Sequence, residues 1–429
     1  MLAAIAVFSV SAPLVAQGAT KPVVQVPMTL VASISPSSQT VGMVVKGRVI
    51  YLLGTVTGVV STDGFVQALD STGTILWSLP LDNGSNEIAT AATFDSAGNL
   101  WVVGSAQTTN TILSPSPTPS PTNTVSASPS PSSTLTSTPT PSPTFTSSVL
   151  NPDGIIRDPL VPMRRDLSAI TLWKISPSGV LLATYATELG SAFLVRGAIF
   201  ANNSIAVVGI ISTPTGRAGF LIQSDLNGSF SKPVLVGKSD TVLNALAKKS
   251  DGSLVLLGSS SETIAKQGRK GIHDAISVVM TQAGKMISVL RSSNTASNRS
   301  WQSGTNSFFF GGDSLSSTKQ EAVVTKFGST FAPTWTTRFA SSGAALAVDA
   351  PASHFFLFPS IGAVAGVKGW KPSKSAALTL SLDSKGALNG AYGALPISTP
   401  MAIGYSRELG IVVLGRGPTG VSVFHTLPR

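Results

Sequence analysis

The stretch FDSAGNLWVVG, Phe94–Gly104, places a polar turn directly before four apolar residues that end at a glycine. In the turn, the Asp95 carboxylate can accept a backbone hydrogen bond, and Gly98 can adopt the positive φ that closes a tight hairpin. A short apolar run bounded by turn residues is typical of a β-strand. Because the run is apolar at every position and does not alternate, the stretch predicts a strand that is covered on both faces.

Similar apolar runs recur along the chain at intervals of roughly 50 residues, which indicates a structural repeat. Most of them end in glycine: Val49–Gly54, Leu100–Gly104, Ile205–Gly209, Leu254–Gly258, Phe308–Gly311 and Ile411–Gly415. A degenerate copy, His354–Pro359, ends in proline. The sequence therefore contains seven copies of one register mark.

Each period also holds a second predicted hairpin, so that one period supplies four short antiparallel strands, named a, b, c and d in chain order. These hairpins are Phe65–Leu81, Ile170–Ala186, Gly219–Val236, Ala275–Leu290, Ala322–Phe339 and Ala376–Tyr392. Four-stranded units that bury their faces against one another form a β-propeller. The sequence predicts an all-β, seven-bladed propeller. The last period lacks a fourth strand, and Met28–Ser35 is expected to supply it and close the ring.

The N-terminus predicts export. Leu2–Ala16 is apolar and is followed by small residues, as in a secretory signal peptide, although a basic region is missing at its start. We expect a signal peptide-like segment over residues 1–18 and a single propeller domain over residues 22–429, without a membrane span after signal removal. The predicted location is secreted or extracytoplasmic, in a bacterial cell envelope, and the expected state is a monomer.

A low-complexity tract interrupts the second period between strands b and c. Residues 114–150 are rich in Pro, Ser and Thr and cannot bury enough apolar surface to fold. The predicted loop insertion spans residues 107–165. Such tracts are plausible O-glycosylation acceptors, and a disordered loop without a further role is the alternative.

The stretch Leu69–Ala106 resembles the secreted bacterial β-propeller repeat family of the seven-bladed type. The matching residues are Asp70, Gly73, Trp77, Asp95, Gly98, Asn99, Trp101, Val102 and Gly104. This resemblance implies an exported propeller and brings no catalytic residues with it. Ala68–Leu81 is more weakly similar to pyrroloquinoline-quinone-like propeller repeats, but a quinone enzyme is disfavoured because the chain has no cysteine pair.

The amino-acid composition limits which catalytic and metal sites the chain can form. The 429 residues include no cysteine, which excludes disulfides, thiolate metal sites and cysteine nucleophiles. The three histidines fall in different periods, and His354 and His425 are expected to be core histidines rather than metal ligands. No catalytic motif stands in its required context. We therefore expect no catalytic residue, no metal site and no cofactor.

The net charge of +10 lies in the later part of the chain, since residues 1–150 carry three basic and five acidic side chains. In a propeller the b–c and d–a loops share one face, and the longest loops here are b–c loops. Basic residues gather on two of these b–c loops, with Lys266, Arg269 and Lys270 on one and Lys368, Lys371 and Lys374 around Trp370 on the other. Arg291 and Arg299, in the d–a connection between blades 4 and 5, belong to the same face. A basic rim with an exposed tryptophan could bind polyanions by charge pairing and stacking.

Three functions follow as hypotheses. The first is a non-enzymatic binding module whose b–c face takes an acidic glycan, wall polymer or envelope protein, but not nucleic acid. The second is a scaffold that presents the Pro/Ser/Thr-rich loop. The third is a propeller hydrolase or lyase acting on polysaccharide. The alternative for the basic residues themselves is that they only keep a weakly charged protein soluble.

Overall fold

A computed structural model describes residues 21–34, 38–57, 61–107 and 163–426. These residues form thirty β-strands and no helix. The fold is an all-β propeller of four-stranded antiparallel blades. Within the same residues, no helix has the length and apolar character needed to cross a membrane.

Five blades follow the predicted a–b–c–d order along the chain. Sheet 1 comprises β3 (Ser38–Lys46), β4 (Val49–Thr57), β5 (Thr62–Leu69) and β6 (Ile75–Leu81). Sheet 2 comprises β7 (Glu87–Phe94), β8 (Leu100–Ala106), β9 (Ala169–Ile175) and β10 (Leu181–Glu188). Sheet 3 comprises β11 (Phe193–Ala201), β12 (Ser204–Thr213), β13 (Gly216–Asp225) and β14 (Val234–Val236). Sheet 4 comprises β15 (Thr241–Lys248), β16 (Leu254–Ser260), β17 (Asp274–Met280) and β18 (Met286–Ser292). Sheet 5 comprises β19 (Asn298–Gly304), β20 (Phe309–Leu315), β21 (Gln320–Phe327) and β22 (Pro333–Ala340).

The remaining two sheets contain strands from both ends of the chain. Sheet 6 holds β23 (Leu346–Ala350), β24 (Ser353–Ser360), β26 (Ala376–Leu382) and β27 (Leu388–Ala394), extended by β1 (Val23–Pro27) and β25 (Val367–Lys368) in parallel pairing. Sheet 7 holds β28 (Thr399–Ser406), β29 (Gly410–Gly417) and β30 (Gly420–His425), with β2 (Thr29–Ile34) antiparallel to β30. The N-terminal residues thus cover the outer edges of two neighbouring sheets, where unpaired backbone groups would otherwise be exposed.

The sheets pack face to face in chain order through their a strands. Strand β7 contacts sheet 1, β11 contacts sheet 2, and the same holds along the chain to β28, which contacts sheet 6 and also β3 of sheet 1. The core is therefore divided into apolar layers between adjacent sheets, such as the layer that contains Trp101, Phe193 and Phe220. The continuous apolar run of strand b reflects this burial, since all seven residues of β8 are buried.

A β-bulge in the a strand explains the glycine that ends each apolar run. In sheet 2 the ladder shifts between Ala89 and Ala91, so that the a strand has one extra residue opposite Gly104. The bulge brings the Ile88 carbonyl against the Gly104 Cα, and a Cβ there would lie 1.7 Å from the Ile88 oxygen. Five further a strands have the same shift. The extra residues are Val41, Thr90, Arg196, Asn244, Gln302 and Met401.

Two copies depart from this pattern. In sheet 5 the glycine opposite the bulge is Gly312, which pairs with Trp301, so the register mark predicted at Gly311 is wrong by one residue. In sheet 6, β23 pairs with β24 without a register shift. The ladder ends at the Leu346–Leu357 pair, so no residue of β23 pairs with Pro359, the residue that replaces the glycine.

The predicted turn chemistry is confirmed. Gly98 has a φ of 90°, and the Asp95 Oδ1 atom accepts the Asn99 backbone N–H at 2.8 Å. The other Asp95 oxygen, Oδ2, accepts the Trp101 indole N–H at 2.9 Å, which links the turn to the core. The glycines of the corresponding c–d turns also have positive φ: Gly73, Gly179, Gly228, Gly284 and Gly386.

The signal peptide-like segment and the tract 114–150 lie outside the described residues. The strands on either side of the tract, β8 and β9, pair with each other through Gly104 and Thr171. The insertion therefore separates two adjacent strands of one sheet.

Candidate functional site

The a strands converge on a cavity of about 180 Å³. Its lining includes the bulge residue of six sheets and one residue from β23: Val41, Thr90, Arg196, Asn244, Gln302, Leu346 and Met401. A bulge turns an extra side chain out of the ladder direction. The β-bulge that requires a glycine in strand b therefore also supplies the side chains that face the cavity.

One side of this cavity is polar. Asn244 accepts a hydrogen bond from the Arg196 Nε atom at 3.3 Å and donates to the Trp301 carbonyl oxygen at 2.9 Å. Gln302 donates to the Ser300 hydroxyl at 3.0 Å. The opposite side is apolar, with Val41, Leu346 and Met401 in the lining.

Six of the predicted binding residues are exposed on two b–c loops. We call these six the basic rim: Lys266, Arg269 and Lys270 between β16 and β17, and Lys368, Lys371 and Lys374 between β24 and β26. The b–c and d–a loops share one face. The backbone N–H of Ile272, in the b–c loop of sheet 4, donates to the carbonyl of Ser297, in the next d–a connection, at 3.0 Å. Within the described ranges, no ion pair involves any residue of the basic rim.

The prediction of an exposed tryptophan is wrong. Trp370 is only 2% exposed and packs in the core of sheet 6, where its indole N–H donates to the Ser360 hydroxyl at 3.1 Å. The side chain lies over Gly393 of β27, which has no Cβ to displace it. Trp370 therefore positions the b–c loop of sheet 6 and is not available for stacking on a ligand.

Arg291 and Arg299 lie on the predicted face but are buried rather than displayed. The Arg291 guanidinium donates to the Asp274 carboxylate at 3.4 Å and to the Ser260 carbonyl at 3.1 Å. Arg299 lies over the Trp301 ring at 4.9 Å, and burial lowers its pKa to about 10. Arg291 on β18 therefore holds the ends of β16 and β17 within its own sheet, and neither arginine is exposed for contact with a ligand.

A partly buried polar network lies at the neighbouring corner, between sheets 3 and 4. Asp240 contacts the His273 Nε2 atom at 2.8 Å, Arg217 at 3.1 Å and the Ser261 hydroxyl at 2.5 Å. Burial alone would raise the pKa of Asp240, but the hydrogen bonds from His273 and Ser261 and the charges of His273 and Arg217 lower it well below its usual range. Glu262 accepts the backbone N–H of Asp240 at 2.7 Å in the same corner.

This network combines serine, histidine and aspartate, yet it is not arranged for nucleophilic catalysis. Ser261 and His273 both contact the Oδ2 atom of Asp240. An activated serine instead hydrogen-bonds to the histidine, which is oriented by the carboxylate on its other side. The arrangement stabilises the Asp240 carboxylate. No contiguous motif predicts it, because Ser261 and His273 are at opposite ends of the b–c loop of sheet 4 and Asp240 is in the connection before β15.

The other two histidines lie on strands, as predicted. His354 stacks on Phe309 with ring centroids 3.5 Å apart, and its Nδ1 atom contacts Asp349 at 2.8 Å. His425 is buried in β30, and burial lowers its pKa. The His354 contacts are those of a packed structural histidine.

Three carboxylates converge at the corner between sheets 1 and 2. We call Asp63, Asp82 and Glu87 the acidic corner. One oxygen from each lies within 4.8 Å of the others. Asp63 is at the start of β5, Asp82 follows β6, and Glu87 begins β7, so the cluster is on the same face as the basic rim. No contiguous motif in the sequence predicts this convergence.

No protein-family model matches this sequence, and no curated protein matches it. The structure is similar to that of YCF48 bound to D1 peptide, with 10% identity and a TM-score of 0.48 over 97% of this chain and 99% of that chain. It is similar to the β-propeller domain of the Trilobed protease from Pyrococcus furiosus, with 7% identity and a TM-score of 0.47 over 92% and 96% of the two chains. It is also similar to Sqt1 from Chaetomium thermophilum bound to the N-terminus of the ribosomal protein L10, with 10% identity and a TM-score of 0.47 over 93% and 100%.

Proposed function

We propose that this protein is an exported, non-enzymatic binding module that holds an acidic glycan, wall polymer or envelope protein of the bacterial cell envelope on its b–c loop face. The observation that carries the proposal is the basic rim, six exposed cationic side chains on two loops without ion-pair partners in the described part of the chain. The apolar segment Leu2–Ala16 supports export.

The rim favours an extended polyanion over a small ligand. Its two groups of cations belong to sheets 4 and 6, with sheet 5 between them. A single exposed charge pair contributes about 0–1 kcal/mol and is screened by salt. Useful affinity therefore requires several contacts made at once by a ligand that spans both loops.

We expect binding to bacterial envelope to depend on the rim. Replacing Lys368, Lys371 and Lys374 with serine should weaken binding about tenfold at low salt, since three pairs of about 0.5 kcal/mol are lost. The measurement is the fraction of protein that co-sediments with isolated envelope at low and high salt. At high salt the variant and the unchanged protein should bind equally weakly.

The control for charge alone is the triple serine variant of Lys232, Lys285 and Lys385. These three lysines are exposed in c–d connections, which lie on the opposite face. Equal losses for the two triple variants would mean that net charge and not the rim governs attachment. Unchanged binding of the rim variant would reject the b–c face as the binding surface.

We also propose that the ring has seven blades and that strand β2 closes it. Sheet 6 is taken as a blade of four antiparallel strands with two added at its outer edge. The proposal is supported by the cavity lining, which draws on the a strand of every sheet from 1 to 7. Pairing of β2 with β30 places a strand from each end of the chain in one sheet.

A further inference from the structure

The acidic corner occupies a position that is neutralised by arginine in other sheets. In each of sheets 1, 4 and 5, one residue of the c strand pairs with the glycine of strand b. The residue two positions before it is acidic in all three sheets: Asp63, Asp274 and Glu321. In sheet 4, Asp274 contacts Arg291 at 3.4 Å. In sheet 5, Glu321 contacts Arg338 at 3.2 Å. The repeat therefore tends to place a carboxylate here, with a cation beside it.

Sheet 1 retains the acid and lacks the arginine. Arg291 and Arg338 pair with the c-strand residues Ile276 and Val323. The corresponding d-strand residue in sheet 1 is Pro80, which pairs with Phe65. Asp63 thus loses the basic neighbour that its counterparts have.

The equivalent a-strand residue is basic at the corner between sheets 4 and 5 and acidic at the corner between sheets 1 and 2. Arg299 lies two residues before the glycine-paired residue of β19, and Glu87 lies two residues before the glycine-paired residue of β7. At the corner between sheets 4 and 5, Asp274 therefore has both Arg291 and Arg299 near it. The corner between sheets 1 and 2 holds three carboxylates, and none of them forms an ion pair within the described residues.

The Glu87 side chain is 0% exposed. Its Oε1 atom accepts the Ser85 hydroxyl at 2.8 Å, while its Oε2 atom is buried with no hydrogen-bond partner in the described part of the chain. The Asp63 Oδ1 atom is buried and unpartnered in the same way. Buried charges in proteins are paired or coordinate metals, because an isolated buried carboxylate is costly.

We propose that Asp63, Asp82 and Glu87 bind a calcium ion. All three ligands are carboxylate oxygens, which hard cations prefer, and Ca²⁺–oxygen distances of about 2.3–2.6 Å allow opposite ligands to lie about 5 Å apart. The separations within 4.8 Å meet this condition. Asp82 is exposed and gives the ion access from solvent, and the Gly84 N–H at 2.7 Å from its Oδ1 atom orients the carboxylate. The ion would do for sheet 1 what Arg291 does for sheet 4.

Calcium binding is measured by titration calorimetry with CaCl2 after EDTA treatment, and its linkage to folding by thermal unfolding in EDTA and in CaCl2. We expect one site per chain and a rise in Tm of about 3 °C at a calcium concentration a hundredfold above Kd. Glu87→Gln should abolish both the binding heat and the rise in Tm. In EDTA it should unfold at the same temperature as the unchanged protein or higher, because one buried charge is removed.

The matched control is Glu321→Gln, the same substitution at the sheet 5 counterpart of Asp63, where the acid contacts Arg338. This variant should retain the calcium heat and the full rise in Tm. A second variant, Pro80→Arg, places in sheet 1 the residue type that sheets 4 and 5 have. Pro80→Arg should weaken calcium binding at least tenfold and reduce the rise in Tm.

The proposal is overturned if the unchanged protein shows neither heat nor a shift in Tm with CaCl2. An equal shift in Glu87→Gln would place the ion elsewhere and overturn it as well. Binding of MgCl2 without binding of CaCl2 would reject the assignment to calcium.

Discussion

Replacing Gly104 with alanine is expected to destabilise the protein by about 4 kcal/mol or more, a loss reached only by substitutions with a specific steric or buried-charge cause. The added Cβ would lie 1.7 Å from the Ile88 carbonyl oxygen and 2.8 Å from its carbon. Relief would require β7 or β8 to move. Both strands are held in place, since β8 is buried at every position and β7 packs against sheet 1.

The measurement is urea unfolding followed by circular dichroism. Gly362→Ala serves as the control, because nothing lies within 4 Å of a Cβ at that position and its φ is not in the left-handed region. The control should unfold within about 0.5 kcal/mol of the unchanged protein. If both variants have the same free energy of unfolding, the bulge is not the reason why this position requires glycine.

Replacing Arg291 with alanine is expected to cost about 3–5 kcal/mol of folding free energy, because it leaves a buried carboxylate without its partner. Asp274 is 0% exposed and is otherwise held by the backbone N–H groups of Lys270 and Gly271, each at 2.9 Å. The Ser260 and Glu262 carbonyls would lose a donor as well. The b–c loop of sheet 4 should loosen together with the corner.

Urea unfolding of Arg291→Ala beside Arg269→Ala distinguishes structure from binding. Arg269 is exposed on the b–c loop of sheet 4, so its loss should change stability by less than about 0.5 kcal/mol. Envelope binding of folded Arg291→Ala, compared at equal folded fraction, should be weakened less than that of Arg269→Ala. A stable Arg291→Ala protein that no longer binds would instead make Arg291 a ligand-contacting residue.

The four-strand repeat was visible in the sequence because its local signals agree with one another. An Asp at the start of a turn, a glycine three residues on and an unbroken apolar run predict a hairpin with a fully buried strand, and Asp95, Gly98 and Leu100–Gly104 form one. The reason for the final glycine was not visible. It depends on a bulge in the preceding strand, which pairs across the hairpin and leaves no local signal.

The basic rim could be predicted because the position of a residue within the repeat shows whether it lies on a long loop. Trp370, Arg291 and Arg299 were misjudged because loop position does not determine burial. Each of the three fills a space between strands that only the assembled sheets define. Side chains of this size near the edges of sheets are held by such packing.

The acidic corner was missed for a related reason. Asp63 comes from β5, Asp82 from the connection to the next sheet and Glu87 from β7, and no contiguous motif joins them. Aligning the c–d hairpins would have offered a signal. In that alignment Pro80 occupies the place of Arg291 and Arg338, while the acid at Asp63 is kept.

The most direct test of the closed ring is disulfide formation between Ser33→Cys and Ser422→Cys. These residues are paired on β2 and β30, and the chain has no other cysteine. Paired residues on antiparallel strands have Cα atoms about 4.5–5.5 Å apart, within the range that a disulfide spans. Mild oxidation should give a monomeric, intramolecular disulfide by mass spectrometry, whereas Ser33→Cys with Ser253→Cys in sheet 4 should not. Free thiols or only intermolecular dimers in the first variant would contradict a ring closed by the N-terminal strand.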